Sequence, residues 1–304
     1  MKLIRYKKNP VLEPRKNYWE KYVYNPGAIF LDGSIHILYR AIGKDRVSRF
    51  GYACSKNGFH ICERLDKPIF VPTEDYETKK VKFRNSGAED PRLTKIDDKI
   101  YVIYAAVDGR VSHTAIAYIN EKDFLNRNWK WKKLGIIFPF CDSRDSVLFP
   151  EKINNKYVLY IRFNPDVFIT YSKDLKNWSK PELFMRSGDY GWDSLKIGLN
   201  TTPIPTEKGY LMLYHGVEQK REYRIYRAGF IIVDKKNPKK IIYRCDKPIL
   251  EPKKEYEKYG QVNNVVFPGG SVIINNKLIV YYGGADTCVC AASIKLSKLL
   301  EEVP

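Results

Sequence analysis

The residues of this chain that could do chemistry fall into short clusters that recur along its length. One series comprises Asn25-Pro26, Glu89-Asp90-Pro91-Arg92, Arg144-Asp145, Asn200-Thr201-Thr202-Pro203 and Asn263-Asn264. A second comprises Arg40, Asp108, Arg162, His215 and Asp286. Taken singly, each would serve as a turn residue or an ion-pair partner. Their recurrence at matching places suggests that they converge on one concave site. The combined set is rich in arginine and short of well-placed carboxylates. A glycosidase of the usual kind needs two carboxyl groups flanking the scissile bond, one as acid and one as nucleophile or base. Arginine, lysine and histidine suit an oxyanion instead, arginine through its planar bidentate fork. Such a site could present phosphate itself as the nucleophile. Other chemistries lack their signatures: there is no GxGxxG, and Gly43-Lys44-Asp45 is not part of a phosphate loop. Neither HExxH nor GxSxG occurs. Cys288 and Cys290 would share one face of a strand and read as core packing.

These clusters must be carried by repeated elements, and a repeat is visible. A short apolar strand, a polar turn and a second, tyrosine-rich strand recur five times, at 28–40, 92–106, 148–163, 202–216 and 271–286. Each centre is a hairpin signal: Asp32-Gly33, Asp97-Asp98, Asn154-Asn155, Lys208-Gly209 and Asn275-Asn276. Successive centres lie 54–67 residues apart. That leaves room for two more strands per unit, and FGYACSKNGFHICE, TAIAYINE, VFITYSKDLKNWS and RAGFIIVD supply candidates. Four strands per unit and five units predict an all-β, five-bladed β-propeller. The funnel at its axis would hold the active site, because the clusters lie at the ends of the first two strands of each unit. With no Pro/Gly/Ser-rich linker, residues 1–304 read as one domain. SIKLSKLLEEV at the C-terminus is the best helix candidate.

Composition sets the outer limits. Of 304 residues, 44% are hydrophobic, enough for a packed core, and 23 are tyrosine, which suits strands. The formal net charge is +18, but the lysines are scattered and form no long basic block. No zinc finger, RNA-recognition signature or basic helix accompanies them, so nucleic acid is not expected as a partner. Six cysteines without a CxxC pattern, and four histidines at no metal-motif spacing from them, read as reduced thiols with no metal site. The opening MKLIRYKKNP has no apolar stretch of signal-peptide length, and no segment approaches 18 consecutive apolar residues. No membrane partner and a cytoplasmic location are the expectation.

At these residues the sequence resembles glycoside hydrolase family 130, the β-mannoside phosphorylases. The resemblance runs through nearly the whole chain, in YNPGAIF (24–30), LYRAIG (38–43), SRFGYA (48–53), GAEDPRLT (87–94), RDSVLFPEKINNKYVLYIR (144–162), WDSLKIG (192–198), YHGV (214–217), DKPILEP (246–252), NVVFPGG (264–270) and YYGGAD (281–286). It implies the same five-bladed fold. It implies an inverting reaction in which inorganic phosphate, a co-substrate and not a cofactor, attacks a non-reducing β-mannosyl residue to give α-mannose 1-phosphate. Asp90 would be the single catalytic acid, relaying its proton through the mannose 3-hydroxyl. A proton donor at neutral pH needs a raised pKa, from burial or a negative neighbour such as Glu89. The phosphate site implied comprises Arg144, Arg162, Lys196, His215 and Tyr226, with Arg144 departing from the lysine usual in that motif. Sugar contacts would fall to Asn25, Arg40, Arg49, Asp145 and Asp286, with Glu89 and Arg92 beside the acid. The substrate class implied is a small β-mannoside, β-1,2-mannobiose or a short oligomannoside first, with β-1,4 linkage left open. Homo-oligomerisation is also left open. Two competing readings are a β-mannoside hydrolase on the same scaffold, and a non-catalytic propeller that binds sugar or nucleic acid.

Overall fold

The computed structural model describes residues 1–304. A two-residue strand β1 (Ile4–Arg5) precedes the first blade, β2 (Tyr22–Leu31), β3 (Ser34–Ile42), β4 (Val47–Ser55) and β5 (Ile61–Arg64). The second blade is β6 (Ser86–Ile96), β7 (Lys99–Val107), β8 (Ser112–Asn120) and β9 (Lys132–Ile136). The third is β10 (Arg144–Leu148), β11 (Tyr157–Phe163), β12 (Asp166–Ser172) and β13 (Glu182–Met185). In the fourth, the inner strand is split into β14 (Lys196–Leu199) and β15 (Ile204–Thr206), followed by β16 (Gly209–Lys220), β17 (Tyr223–Val233) and β18 (Ile241–Arg244). The fifth is β19 (Val266–Ile274), β20 (Lys277–Gly284) and β21 (Cys288–Lys295), and β1 supplies its outer strand by pairing with β21. The protein is therefore a five-bladed β-propeller whose last blade is closed by the N-terminal strand. That closure had no signal in the sequence, because a two-residue strand shows no periodicity.

The five hairpin turns fall where the Asn, Asp and Gly pairs predict them. Each has a two-residue loop, with Leu31 opposite Ser34, Ile96 opposite Lys99, Ile153 opposite Lys156, Thr206 opposite Gly209 and Ile274 opposite Lys277. Asp32, Asp97, Asn154 and Asn275 adopt left-handed backbone there, at φ 45°, 54°, 51° and 48°. Asn and Asp tolerate that conformation better than other non-glycine residues, and the turn's twist then matches the strands.

Apolar residues pack between blades. One cluster joins blades five and one through Ile37, Tyr39, Val272 and Tyr281. Another joins blades one and two through Phe50, Tyr52, Val102 and Tyr104. A third joins blades two and three through Ile103, Ile116, Leu159 and Ile161. The largest runs through blades three, four and five. Helix is confined to single turns. The C-terminal helix is shorter than its sequence suggested: Ser293–Lys295 continues β21, and only Leu296–Leu300 is helical. Ser293 and Ala292 pair with β1, so the sheet claims that stretch first. No helix is long and apolar enough to cross a membrane.

Candidate active site

The inner strands β2, β6 and β10 each carry a β-bulge at the same level, between Tyr24 and Gly27, Glu89 and Arg92, and Arg144 and Val147. Asn25, Asp90 and Asp145 occupy these bulges with φ of 44°, 55° and 49°. A bulge inserts an unpaired residue and re-aims its side chain. Residues that tolerate left-handed backbone and carry a polar group are therefore the ones that can stand here. The bulges also pack tightly: a Cβ on Gly27 would lie 2.5 Å from the Pro91 carbonyl oxygen, and one on Gly269 2.1 Å from that of Pro26.

Together these side chains line a cavity of about 390 Å³ on the axis. Asn25, Arg40, Asp90, Arg144, Asp145, Arg162, Lys196, His215, Tyr226 and Asp286 all reach it, so all five proposed phosphate ligands share one basin with the proposed acid. A second cavity of about 490 Å³ adjoins it, sharing Arg40, Asp142, Arg144, Val262 and Asp286 as a common wall.

Some predicted residues lie elsewhere. Arg49 is outside the basin; its guanidinium pairs with Asp45 at 2.6 Å and stacks on Tyr18. Glu89 and Arg92 stand behind the lining. Glu89 accepts from Arg40 at 2.6 Å and Arg144 at 3.0 Å, so two cations occupy the carboxylate that the sequence had placed beside Asp90. Arg92 is buried under the basin, its Nη1 donating to the Asp90 carbonyl at 2.7 Å and its guanidinium over the Phe267 ring. Asp108 caps its own loop through the amides of Arg110 and Val111 and pairs with Lys80. In blade five Phe267 lines the basin along with Val265 and Asp286, and Asn264 is not among the lining residues. Phe267 was missed because a lone phenylalanine in an apolar run gives no chemical signal.

Asp90 Oδ1 accepts from Asn25 Nδ2 at 3.0 Å and from Arg40 Nη1 at 3.3 Å. Asp145 lies 3.1 Å from Arg162 Nε and 3.7 Å from Arg92 Nη2. Burial alone would raise the Asp145 carboxyl, but Arg162, with His215, Arg92 and Arg144, brings it down to about 2. Asp286 is pushed up to about 7 by burial and by Asp90 and Glu89, against the pull of Arg40. Burial, then Arg162, lowers Lys196 to about 8. Burial likewise lowers His215 to about 3, with Arg162, Lys196 and Arg92 acting in the same direction against Asp145. Arg92 Nε and Nη2, Arg162 Nε, Asn25 Oδ1 and Asn200 Nδ2 are buried with no hydrogen-bond partner.

Four cationic side chains (Arg40, Arg144, Arg162 and Lys196) line the basin with four carboxyls (Asp90, Asp142, Asp145 and Asp286), and one of those, Asp286, is held near half-protonation at neutral pH. A buried basin beside guanidinium nitrogens that lack hydrogen-bond partners suits an anion. No group of three or more His, Cys, Asp or Glu is placed to hold a metal ion.

The fold and this basin define a propeller with a buried axial cavity lined by arginine, lysine, histidine and aspartate. Residues 2–303 match the glycoside hydrolase 130 family model, described as β-1,4-mannooligosaccharide phosphorylase, and the chain belongs to that family. It is 36% identical to a 1,2-β-oligomannan phosphorylase of Thermoanaerobacter sp. (strain X514), over 98% of this chain and 99% of the relative. It is 38% identical to a β-1,2-mannobiose phosphorylase of the same organism, over 98% and 99%. The β-1,2-mannobiose phosphorylase of Listeria innocua, solved with β-1,2-mannobiose, superposes with a TM-score of 0.84 at 26% identity, covering all of this chain and 99% of that one.

Proposed function

We propose that this protein cleaves β-1,2-linked mannobiose or short oligomannosides by inverting phosphorolysis, releasing α-mannose 1-phosphate. One observation carries the reading: Asp90 stands in the same cavity as Arg144, Arg162, Lys196, His215 and Tyr226, the acid and the anion-binding set that the family resemblance implies. Glu89 is committed to Arg40 and Arg144, and Asp145 to Arg162 and Arg92, while Asp286 has no ion-pair partner.

In this reading an oxyanion held by Arg144, Arg162 and Lys196 attacks the anomeric carbon from one face. Asp90 protonates the departing oxygen through the mannose 3-hydroxyl, and the Asn25 and Arg40 contacts hold its carboxyl in place. Asp145 accepts from sugar hydroxyls as an ion. Asp286, near half-protonation, can either donate to one or accept from one. The linkage assignment is supported by the activities named for the two Thermoanaerobacter relatives, although the family model bears a β-1,4 description.

Incubation with β-1,2- and β-1,4-mannobiose, with and without phosphate, tests this. Mannose 1-phosphate should form only with phosphate, and faster from the β-1,2 disaccharide. Free mannose formed equally in both would mean hydrolysis, and no cleavage in either would mean a binding propeller.

A further inference from the structure

His215 lies in a ring of cations yet is not one of them, and its surroundings dictate which nitrogen carries its proton. The ring is 1% exposed, at the middle of β16. Asn200 Oδ1 accepts from the His215 backbone N–H at 2.8 Å and lies 2.7 Å from His215 Nδ1. A backbone N–H can only donate, so the shared atom must be the amide oxygen, and it has no proton to give. Nδ1 must therefore carry the hydrogen. Asn200 is itself fully buried at the end of β14, and its Nδ2 has no partner, so the amide has no alternative bond to reward a flip. The ring is held flat between Phe267, 4.7 Å away, and Tyr226, 5.9 Å away. The absence of a Cβ on Gly198 leaves room for it, since one there would sit 2.5 Å from His215 Cε1. Charged groups face the ring from neighbouring strands: Arg92 on β6, Asp145 on β10, Arg162 on β11 and Lys196 on β14. Three of the four are cations, and together with burial they keep the imidazole neutral. Nε2, which has no hydrogen-bond partner in the protein, is then a bare lone pair on the cavity wall, close to Arg162 and Lys196.

We infer that His215, with its tautomer set by Asn200, accepts a hydrogen bond from a protonated oxygen of the anion, so that the pocket takes hydrogen phosphate and rejects fully deprotonated oxyanions such as sulfate. The inference rests on the phosphorolysis reading and adds the protonation state of the nucleophile. The step balances. An unprotonated oxygen of the hydrogen phosphate dianion forms the bond to the anomeric carbon. The electron pair of the broken glycosidic bond goes to the departing oxygen, which takes the Asp90 proton. The P–OH proton stays on its oxygen, against Nε2, and the product is mannose 1-phosphate monoanion beside an Asp90 carboxylate. The total charge is −2 on both sides. Asn200 is a positioning residue in this scheme.

Arsenate keeps a proton at neutral pH and sulfate does not, so the two separate this role from simple charge attraction. At pH 7, arsenate should replace phosphate in mannobiose cleavage. Sulfate should compete at least about tenfold more weakly, the worth of one hydrogen bond to a charged group. Asn200→Asp places a carboxylate against Nδ1 and favours imidazolium, so sulfate inhibition should tighten and the arsenate preference collapse. If that variant does not fold, the ¹⁵N spectrum of histidine-labelled wild type with inorganic phosphate decides, and His215 should show a protonated Nδ1 and an unprotonated Nε2. Sulfate competing as well as arsenate, with turnover intact, or an imidazolium in that spectrum, overturns this inference alone. Absence of any phosphate-dependent cleavage overturns the phosphorolysis reading with it.

Discussion

At the blade interfaces, Glu20, Glu77, Asp193 and Glu257 each bury a carboxylate against a tyrosine hydroxyl and a cation. Tyr39 donates to Glu20 at 2.6 Å with Arg64 at 2.9 Å, and Tyr104 donates to Glu77 at 2.6 Å beside Lys133. Tyr214 donates to Asp193 at 3.0 Å with Arg244 at 2.5 Å, and Tyr282 donates to Glu257 at 2.8 Å with Arg5 at 2.7 Å. Blade three keeps the tyrosine, but Tyr160 donates to the Pro238 carbonyl instead. In these clamps charges are matched one for one, and none of the four carboxylates has a buried oxygen without a partner. The axial basin buries charge too, yet the Arg92 and Arg162 guanidiniums keep nitrogens without a hydrogen-bond partner and Asp286 has no ion-pair partner. Buried charge that completes its own bonds serves the fold, and buried charge left incomplete is available to a ligand. Strand alternation separates the two roles: the residues after Tyr39 and Tyr214 are Arg40 and His215, which point to the other face.

The comparison breaks most visibly if the two regions fail to separate activity from stability. Asp90→Asn should lower turnover by about 10³-fold, within the range for loss of a general acid, while the thermal unfolding midpoint stays put. Mannose 1-phosphate release and calorimetry would check the two halves, and turnover near wild type would remove Asp90 from the mechanism. The converse is Glu257→Ala, which strands Arg5 and should cost about 3 kcal/mol in denaturant unfolding. The folded fraction should keep its KM values, since the clamp touches no ligand.

Arg162→Ala should raise the KM for phosphate by about 10- to 100-fold, as for one charged hydrogen bond, and change the KM for mannoside little. The variant also leaves the buried Asp145 carboxylate without its nearest cation, so it should unfold more readily than wild type at neutral pH. An unchanged phosphate dependence would remove Arg162 from the oxyanion pocket. The smallest effect concerns Asp286, whose folded pKa of about 7 lies above its unfolded value. The native state binds the proton more tightly, so the associated stability is fully present below about pH 4 and is lost as the pH rises through about 7. Asp286→Asn should remove that slope and make the protein more stable than wild type at pH 8, by on the order of 1 kcal/mol. Parallel stability–pH curves for the two proteins would contradict it.

Much of the basin was legible because bulge and turn positions restrict residue choice so sharply. Asn25, Asp90 and Asp145 announce themselves as Asn or Asp before Pro or Ser at repeat-equivalent points, and all three line the cavity. Arg162 and His215 also stand at repeat-equivalent points, Lys196 and Tyr226 were reached only through the family resemblance, and all four stand in the same cavity. Arg49 is not in the cavity lining, because it has a close partner in Asp45, four residues away. The clamps were not seen at all. The Arg5–Glu257 pair spans 252 residues and closes the ring through a two-residue strand, and no local pattern marks such a partner.

The sequence by itself determined the number of blades, the hairpin turns and the cationic groups at the strand ends. These are properties of short segments, in which backbone preference and side-chain alternation act over a few residues. Only the tertiary structure decided which charges are spent on one another and which remain free. Pairing depends on distances between strands far apart in the chain, and on burial that no single segment can provide. Glu89 is the clearest case. Its neighbour in sequence is Asp90, but its carboxylate belongs to Arg40 and Arg144, which leaves Asp90 in the axial cavity with the unspent cations.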